Sequence, residues 1–225
     1  MFTGSMVALV TPFRDGKVDW ESLEGLVAFH LNNGTHGIVP CGTTGESATL
    51  SYQEHDDIIR TVIKAAGQRV PVIAGTGSNS TEEAVRLTRE AEKSGADGAL
   101  MISPYYNRPT QEGIYQHYKK VASAVGIPII VYNIPGRTGS KIEPETLARL
   151  SEISNIAGVK EATGSVDQAI DVIQLCGDRL AVYSGEDSLI FSLMALGGKG
   201  VISTVANVAP KETAQLTEAC LKNAG

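Results

Sequence analysis

The pentapeptide Gly158-Val159-Lys160-Glu161-Ala162 places a single lysine at the end of a short apolar run that begins at Ile156 and is closed by Thr163-Gly164. The run has strand length and stops at a turn signal. A lysine at the end of a buried strand is costly to desolvate. Lys160 therefore reads as a paired structural cation, as a tuned amine nucleophile or, taken alone, as an exposed lysine at a strand tip. The nucleophile reading carries specific chemistry. A free lysine, with a pKa near 10.4, is neutral in only about one molecule in a thousand at neutral pH. Lowering that pKa to roughly 7–8 raises the neutral fraction several hundredfold, and burial in a barrel interior would do so. Such an amine forms a Schiff base with a ketone, and tyrosine and threonine hydroxyls carry the protons. The iminium is its own electron sink, so no cofactor is required.

Three further stretches offer groups for that chemistry: Gly42-Thr43-Thr44-Gly45-Glu46-Ser47, Pro104-Tyr105-Tyr106-Asn107-Arg108-Pro109 and Tyr132-Asn133-Ile134-Pro135-Gly136-Arg137-Thr138-Gly139. Each stands at the end of an apolar run. Side chains alternate along a strand, so Lys160 shares a face with Gly158, while Glu161 shares the other with Val159 and cannot lie directly beside the amine. The same alternation groups Tyr132 with Ile130. Inward-facing Lys160 and Tyr132 on neighbouring strands would approach each other. Cys41 has the parity of Thr43, which would turn it toward the site; a buried inert thiol is the plainer reading. The four histidines, His30, His36, His55 and His117, are scattered and form no paired motif, so no metal is expected. Gly197-Gly198-Lys199-Gly200 lacks phosphate-loop spacing and reads as a turn on the opposite, stability face.

The elements that must hold these residues repeat as strand, turn, amphipathic helix, glycine. Apolar runs predict strands over 6–11, 37–42, 71–76, 98–103, 128–133, 156–160, 180–184 and 200–204. Helical patterns occupy 20–33, 52–66, 81–94, 112–125, 144–153, 166–176, 188–196 and 210–224. Six helix-to-strand junctions carry glycine (Gly34, Gly67, Gly95, Gly126, Gly177, Gly198), which supplies the left-handed residue that stops a helix, and Asn155 takes that role at the seventh. Ser51-x-x-Glu54, Ser80-x-x-Glu83 and Ser165-x-x-Gln168 have capping-box form. Eight βα units in a row predict an α/β fold, a closed (β/α)8 TIM barrel, over a doubly wound sheet; strand one lacks the Gly-rich phosphate turn of the latter. In such a barrel, residues at the C-terminal strand ends carry chemistry, and Thr43, Tyr106, Tyr132 and Lys160 all fall there. Pro40 sits inside the second predicted strand, where its missing N–H would interrupt the ladder, and a local bulge is expected.

The chain has 225 residues, 42% of them hydrophobic, and a net charge of -6. That balance gives no global field for nucleic acid or anionic membrane. Three widely spaced cysteines suggest neither a disulfide framework nor a zinc site, which fits a cytoplasmic protein. The apolar run 6–10 is too short to span a bilayer and lacks the layout of a signal peptide.

With the strand ends assembled, the sequence resembles the dihydrodipicolinate synthase family, also called 4-hydroxy-tetrahydrodipicolinate synthase, which catalyses the first committed step of bacterial lysine biosynthesis. The motifs are Gly-Thr-Thr-Gly-Glu-Ser at 42–47, Pro-Tyr-Tyr-Asn-Arg-Pro at 104–109, Tyr-Asn-Ile-Pro-Gly-Arg-Thr at 132–138 and Gly-Val-Lys-Glu-Ala-Thr at 158–163. The match runs from Met1 to about Gly225, one catalytic barrel domain. The resemblance implies that Lys160 forms a Schiff base with pyruvate, and that Tyr132 is the general acid/base, relayed through Thr43 to Tyr106. In the family that last tyrosine enters from a neighbouring subunit, which implies a homo-oligomer, a dimer or tetramer. Thr44, with Thr43, would hold the pyruvate carboxylate; Arg137 would receive the carboxylate of L-aspartate 4-semialdehyde with its planar fork; Gly185 and Ile202 would line the pocket. No cofactor or metal is implied.

Ser47, Ala48, His55, Asn79, Glu83 and Tyr105 match positions where relatives bind L-lysine as an allosteric feedback inhibitor. Each has a plainer role: Ser80-x-x-Glu83 is an adequate helix cap, His55 an ordinary surface histidine, and Tyr52 replaces a histidine found in some lysine-sensitive relatives. Relatives continue into further C-terminal helices, and a chain without them would expose apolar flank. The rival readings are another pyruvate-dependent aldolase, of the N-acetylneuraminate lyase or ketodeoxygluconate aldolase type, and a truncated, inactive barrel. The second threonine of Thr43-Thr44, the Tyr105-Tyr106 pair and Arg137 favour the synthase.

Overall fold

The computed structural model describes residues 2–222. Eight parallel strands form the barrel: β1 (Gly4–Ala8), β2 (Gly37–Val39), β3 (Ile73–Gly75), β4 (Gly98–Ile102), β5 (Ile129–Asn133), β6 (Ile156–Glu161), β7 (Ala181–Ser184) and β8 (Gly200–Ser203). The helices between and after them are α1 (Trp20–Asn32), α2 (Tyr52–Ala66), α3 (Thr81–Lys93), α4 (Gln111–Ala122), α5 (Pro144–Leu150), α6 (Val166–Cys176), α7 (Ile190–Ala195) and α8 (Pro210–Lys222). The hydrogen-bonded order runs β2-β1-β8-β7-β6-β5-β4-β3. The parallel bridge Ile38↔Val72 brings β3 against β2 and closes the ring. The barrel expected from the repeating units is therefore present. The expected final residues of α8, Asn223 and Ala224, lie outside the described residues.

The strands are apolar on both faces because both faces are covered. Met6, Ala8, Val39, Ile73, Leu100, Ile130, Tyr183 and Ile202 point inward and fill the barrel. Their neighbours Val7, Ile38, Met101, Val131, Val159 and Val182 point outward against the helices. Interior packing leaves no slack at Gly158: a Cβ there would stand 2.7 Å from the Tyr183 ring. Tyr183 in turn donates to the Phe2 carbonyl at 2.9 Å and plugs the bottom of the barrel.

Several local expectations are corrected. Of the junction glycines, Gly34, Gly67, Gly95 and Gly177 take positive φ (77°, 58°, 91° and 54°), but Gly126 and Gly198 do not; Gly197, at 106°, supplies the reversal one residue earlier. Asn155 is not left-handed either. Its side-chain amide instead donates to the carbonyls of Ala122 and Val125, both at 3.0 Å, and so caps the end of α4. Only Ser51 and Glu54 close a reciprocal capping box. Ser80 and Ser165 cap through their hydroxyls alone, because the Glu83 and Gln168 side chains bond elsewhere.

Pro40 lies after β2 rather than inside it, where the ladder has already ended, and its carbonyl accepts from Gly75 N at 2.9 Å. No bulge is required. A short hairpin, Phe13–Arg14 with Lys17–Val18, and a single-turn helix, Pro135–Thr138, escaped the pattern reading. Phe191 on α7 and Val208 ahead of α8 are exposed apolar side chains. Among the described residues no helix is long and apolar enough to cross a membrane.

Candidate active site

Lys160 stands at the C-terminal end of β6 and is 5% exposed. Its register partner on β5 is Tyr132, and its Nζ lies 4.3 Å from the centroid of that ring. Burial pulls the amine down to about 8; the carboxylates of Asp187 and Glu186 hold it up against that trend, and Arg137 pushes the same way as burial. The Tyr132 hydroxyl is pushed up to about 12, first by burial, while Arg137 and a hydrogen bond with Thr43 work against the rise. The pair therefore presents an amine with a sizeable neutral fraction at neutral pH beside a phenol that keeps its proton. That is the combination needed to attack a carbonyl and protonate the oxygen that leaves.

Lys160, Tyr132, Thr43, Thr44, Arg137 and Gly185 all line one cavity of about 160 Å³. That is below the ~300 Å³ at which pockets for drug-sized ligands begin, and it suits a small acid. Gly185 has no room for a side chain: a Cβ would come 2.6 Å from Ala162 Cβ and 3.2 Å from Lys160 Cε. Thr44 Oγ1 lies 3.5 Å from Thr204 Oγ1, joining the loops after β2 and β8 across the rim. Ile202 is not on the cavity wall. It is fully buried one layer below, in the apolar filling of the barrel.

Tyr106 does not reach the cavity within this chain. It is 89% exposed, at φ 72°, with its N–H on the Thr138 carbonyl at 3.2 Å. Cys41 is corrected as well. At φ 55° it leaves the extended conformation, so strand parity does not carry past Pro40. Its Sγ meets the His55 carbonyl at 3.6 Å in the layer between strands and helices, and burial pushes its thiol up.

Ser47, Ala48, His55, Glu83 and Tyr105 line a second cavity of about 410 Å³. Asn79 is not on its wall but donates to the Tyr105 carbonyl at 3.2 Å. His55 is buried rather than a surface residue; its Nε2 bonds the Gly75 carbonyl at 2.9 Å, and burial lowers its pKa. Glu83 accepts from the hydroxyls of Tyr52 and Ser78. The two cavities share the wall formed by Gly42, Thr43, Leu100, Tyr132 and Arg137.

The residues that motif reading did not single out are Glu186, Asp187 and Thr204, all on the smaller cavity. Asp187 accepts from Ser203 Oγ and from the N–H groups of Thr204 (3.2 Å) and Val205 (3.1 Å). It fastens the loop after β7 to the end of β8. The available signal was position: two acids directly after the seventh strand, on the catalytic end.

A family model described as the dihydrodipicolinate synthetase family matches residues 1–224. The 4-hydroxy-tetrahydrodipicolinate synthase of Syntrophobacter fumaroxidans is 61% identical over 216 residues, 96% of this chain and 74% of that protein. The dihydrodipicolinate synthase of Acinetobacter baumannii, solved in complex with pyruvate, superposes with a TM-score of 0.98 at 50% identity, covering 100% of this chain and 78% of that one. The enzyme of Cyanidioschyzon merolae, solved with lysine bound, gives 0.93 at 42% identity, covering 96% and 74%. The chain belongs to the dihydrodipicolinate synthetase family.

Proposed function

We propose that this barrel condenses pyruvate with L-aspartate 4-semialdehyde to give 4-hydroxy-tetrahydrodipicolinate, the lysine-biosynthetic reaction for which its relatives are named. The observation that carries the site assignment is the buried Lys160 amine, pulled down to about 8, at 4.3 Å from the Tyr132 ring. The neutral amine adds to the keto carbon, and Tyr132 protonates the oxygen that departs as water. The resulting iminium gives up a methyl proton to the Tyr132 phenolate and becomes an enamine, whose carbon attacks the aldehyde. The new alkoxide takes that proton back, and the amino group of the aldehyde substrate then adds to the former keto carbon, closing the ring and displacing Lys160 as the free amine. Thr43 and Thr44 take the pyruvate carboxylate, and Arg137 takes that of the aldehyde with a bidentate fork. Tyr106, pointing out of its own chain, completes the proton relay from Tyr132 and Thr43 in a neighbouring copy. One solved relative at 43% identity is described as a monomeric variant.

The 410 Å³ cavity is assigned to L-lysine as feedback inhibitor. Glu83 offers a carboxylate for an ammonium, and the wall shared through Thr43 and Tyr132 gives the ligand a route to the catalytic groups. Three free cysteines, two of them buried, fit a cytoplasmic setting.

A panel of partner aldehydes with pyruvate tests the substrate assignment. Turnover with L-aspartate 4-semialdehyde and none with sugar aldehydes is expected. The reverse would hand the chain to the sugar-acid aldolases. Turnover with neither would leave the inactive barrel.

A further inference from the structure

One residue beyond the Tyr132–Lys160 pair, Asn133 and Glu161 are again in register on β5 and β6. Alternation turns both to the outer face, where they are 0% and 3% exposed. Asn133 Nδ2 donates to Glu161 Oε2 at 3.2 Å. Nothing in the Schiff-base chemistry uses either residue. A carboxylate buried against an amide, with Lys141 acting on its charge but no cation bonded to it among the described residues, is costly unless its bonds accomplish something.

The bonds all go to two places. Asn133 Oδ1 accepts from Ile142 N, and Asn133 Nδ2 also donates to Ile142 O, both at 3.0 Å, so the amide stands in for a strand partner. Gln168 Nε2, from the first turn of α6, adds a second donor to Ile142 O at 3.1 Å. Glu161 Oε1 accepts from Thr163 N at 2.8 Å and pins the turn after Lys160. The chain that leaves the barrel at Asn133 is thus tied back to Asn133 at Ile142. Between those two points lies the segment 134–141, which carries Arg137 in the single-turn helix Pro135–Thr138. Thr138 O in turn seats Tyr106 N. One buried cluster holds both the end of the strand bearing the amine and the loop bearing the guanidinium.

We propose that Asn133 and Glu161 are positioning residues: through their mutual hydrogen bond and their bonds to Ile142 and Thr163 they fix the 134–141 loop, and so set where Arg137 meets the carboxylate of the aldehyde substrate. This rests on the reading of Arg137 given above. Capture of pyruvate by Lys160 and recognition of the second substrate are then separable, because three of the cluster's bonds go to Ile142 at the end of the loop and one to Thr163 beyond the amine.

The test measures two quantities on each folded variant: pyruvate capture, by borohydride reduction and intact mass, and the KM for L-aspartate 4-semialdehyde. Asn133→Asp removes both donors of the amide and sets two carboxyl groups face to face. It is expected to raise the aldehyde KM about tenfold or more while capture stays within about threefold of wild type, since small misplacements of a binding group are expensive. Glu161→Gln alone sets two donor groups against each other and is expected to act in the same direction. The exchange double variant Asn133→Asp/Glu161→Gln restores a donor–acceptor pair with the roles reversed, the amide now on β6 donating to the carboxylate now on β5. The carboxylate at 133 still cannot donate to Ile142 O, so the KM is expected to recover in part, falling at least about threefold from the Asn133→Asp value without reaching wild type.

An unchanged aldehyde KM in folded Asn133→Asp, a fall in capture matching the rise in KM, or no recovery in the double variant would each overturn the inference. If Asn133→Asp does not fold, Gln168→Met, which removes one donor from Ile142 O and leaves the pair intact, must raise the aldehyde KM by about twofold or more; no rise overturns the inference. Wild-type protein that captures no pyruvate would overturn the Lys160 chemistry first. Intact capture with an indifferent Asn133→Asp overturns the positioning role alone.

Discussion

Tyr132 and Lys160 are register partners on adjacent strands, and the Lys160 ammonium nitrogen sits 4.3 Å from the centre of the Tyr132 ring. Burial pulls the amine down to about 8. The carboxylates of Asp187 and Glu186 keep it from falling further. With an amine near 8, about a tenth of the molecules carry the free base at pH 7, against fewer than about one in a thousand for an unperturbed lysine.

The pH dependence of pyruvate capture follows directly. Capture needs the free base, so its rate is expected to rise with pH and level off above an apparent midpoint near 8. Stopped borohydride trapping across the range from neutral to strongly alkaline measures it. A midpoint close to 10 would mean that the amine is solvated.

Stability carries the opposite face of the same shift. The folded pKa of Lys160 lies below its unfolded value. Below about 8 both states hold the proton, and the folded state bears the desolvation cost. As pH rises from about 8 toward the unfolded value, the folded state loses the proton first and stability climbs. Lys160→Met is therefore expected to stabilise the protein at pH 7 by up to about 3 kcal/mol, an advantage that shrinks toward pH 10. Denaturant unfolding at the two pH values checks the sign. A Met variant less stable at pH 7 would show that the ammonium is well solvated or well paired.

Gly185 is expected to tolerate no side chain. The Cβ of Gly185→Ala would meet Ala162 Cβ at 2.6 Å, Glu161 O at 3.0 Å and Lys160 Cε at 3.2 Å. The two tightest of these neighbours are fixed to the backbone, so the backbone of β6 or of residue 185 must shift and carry the lysine stem with it. Pyruvate capture is expected to fall at least about tenfold, with a loss of about 1–3 kcal/mol in stability from overpacking. Capture at the wild-type rate would show that the stem has freedom the packing does not suggest.

Tyr106 is 89% exposed and does not line the cavity of its own chain. If it serves a neighbouring copy, Tyr106→Phe lowers turnover by about tenfold or more through the lost proton relay, and wild-type activity falls on dilution below the assembly concentration. Sedimentation and kinetics on the same samples test both. A fully active monomer would remove the cross-subunit role.

Much of this was legible in the residues because period and position agree. Eight apolar runs separated by helical stripes left few folds, and alternation grouped Lys160 with Gly158 and Tyr132 with Ile130; that both turn inward and stand in register is seen only in the structure. What was hidden depends on partners that are distant in sequence. Cys41 obeys strand parity on paper, but the strand ends at Val39 and the chain turns at Cys41, with φ 55°, so counting from the strand fails. Glu83 and Gln168 look like the second halves of capping boxes, yet their side chains serve Tyr52, Ser78 and Ile142. Asp187 bonds to residues sixteen and more positions away, which no local pattern reveals. The hairpin at 13–18 is too short for periodicity to register.

The most direct measurement is borohydride reduction in the presence of pyruvate, followed by peptide mass mapping. The expected result is the mass of one reduced pyruvate per chain, located on Lys160 and absent without pyruvate. An unmodified chain, or label distributed over the exposed lysines instead, would contradict it.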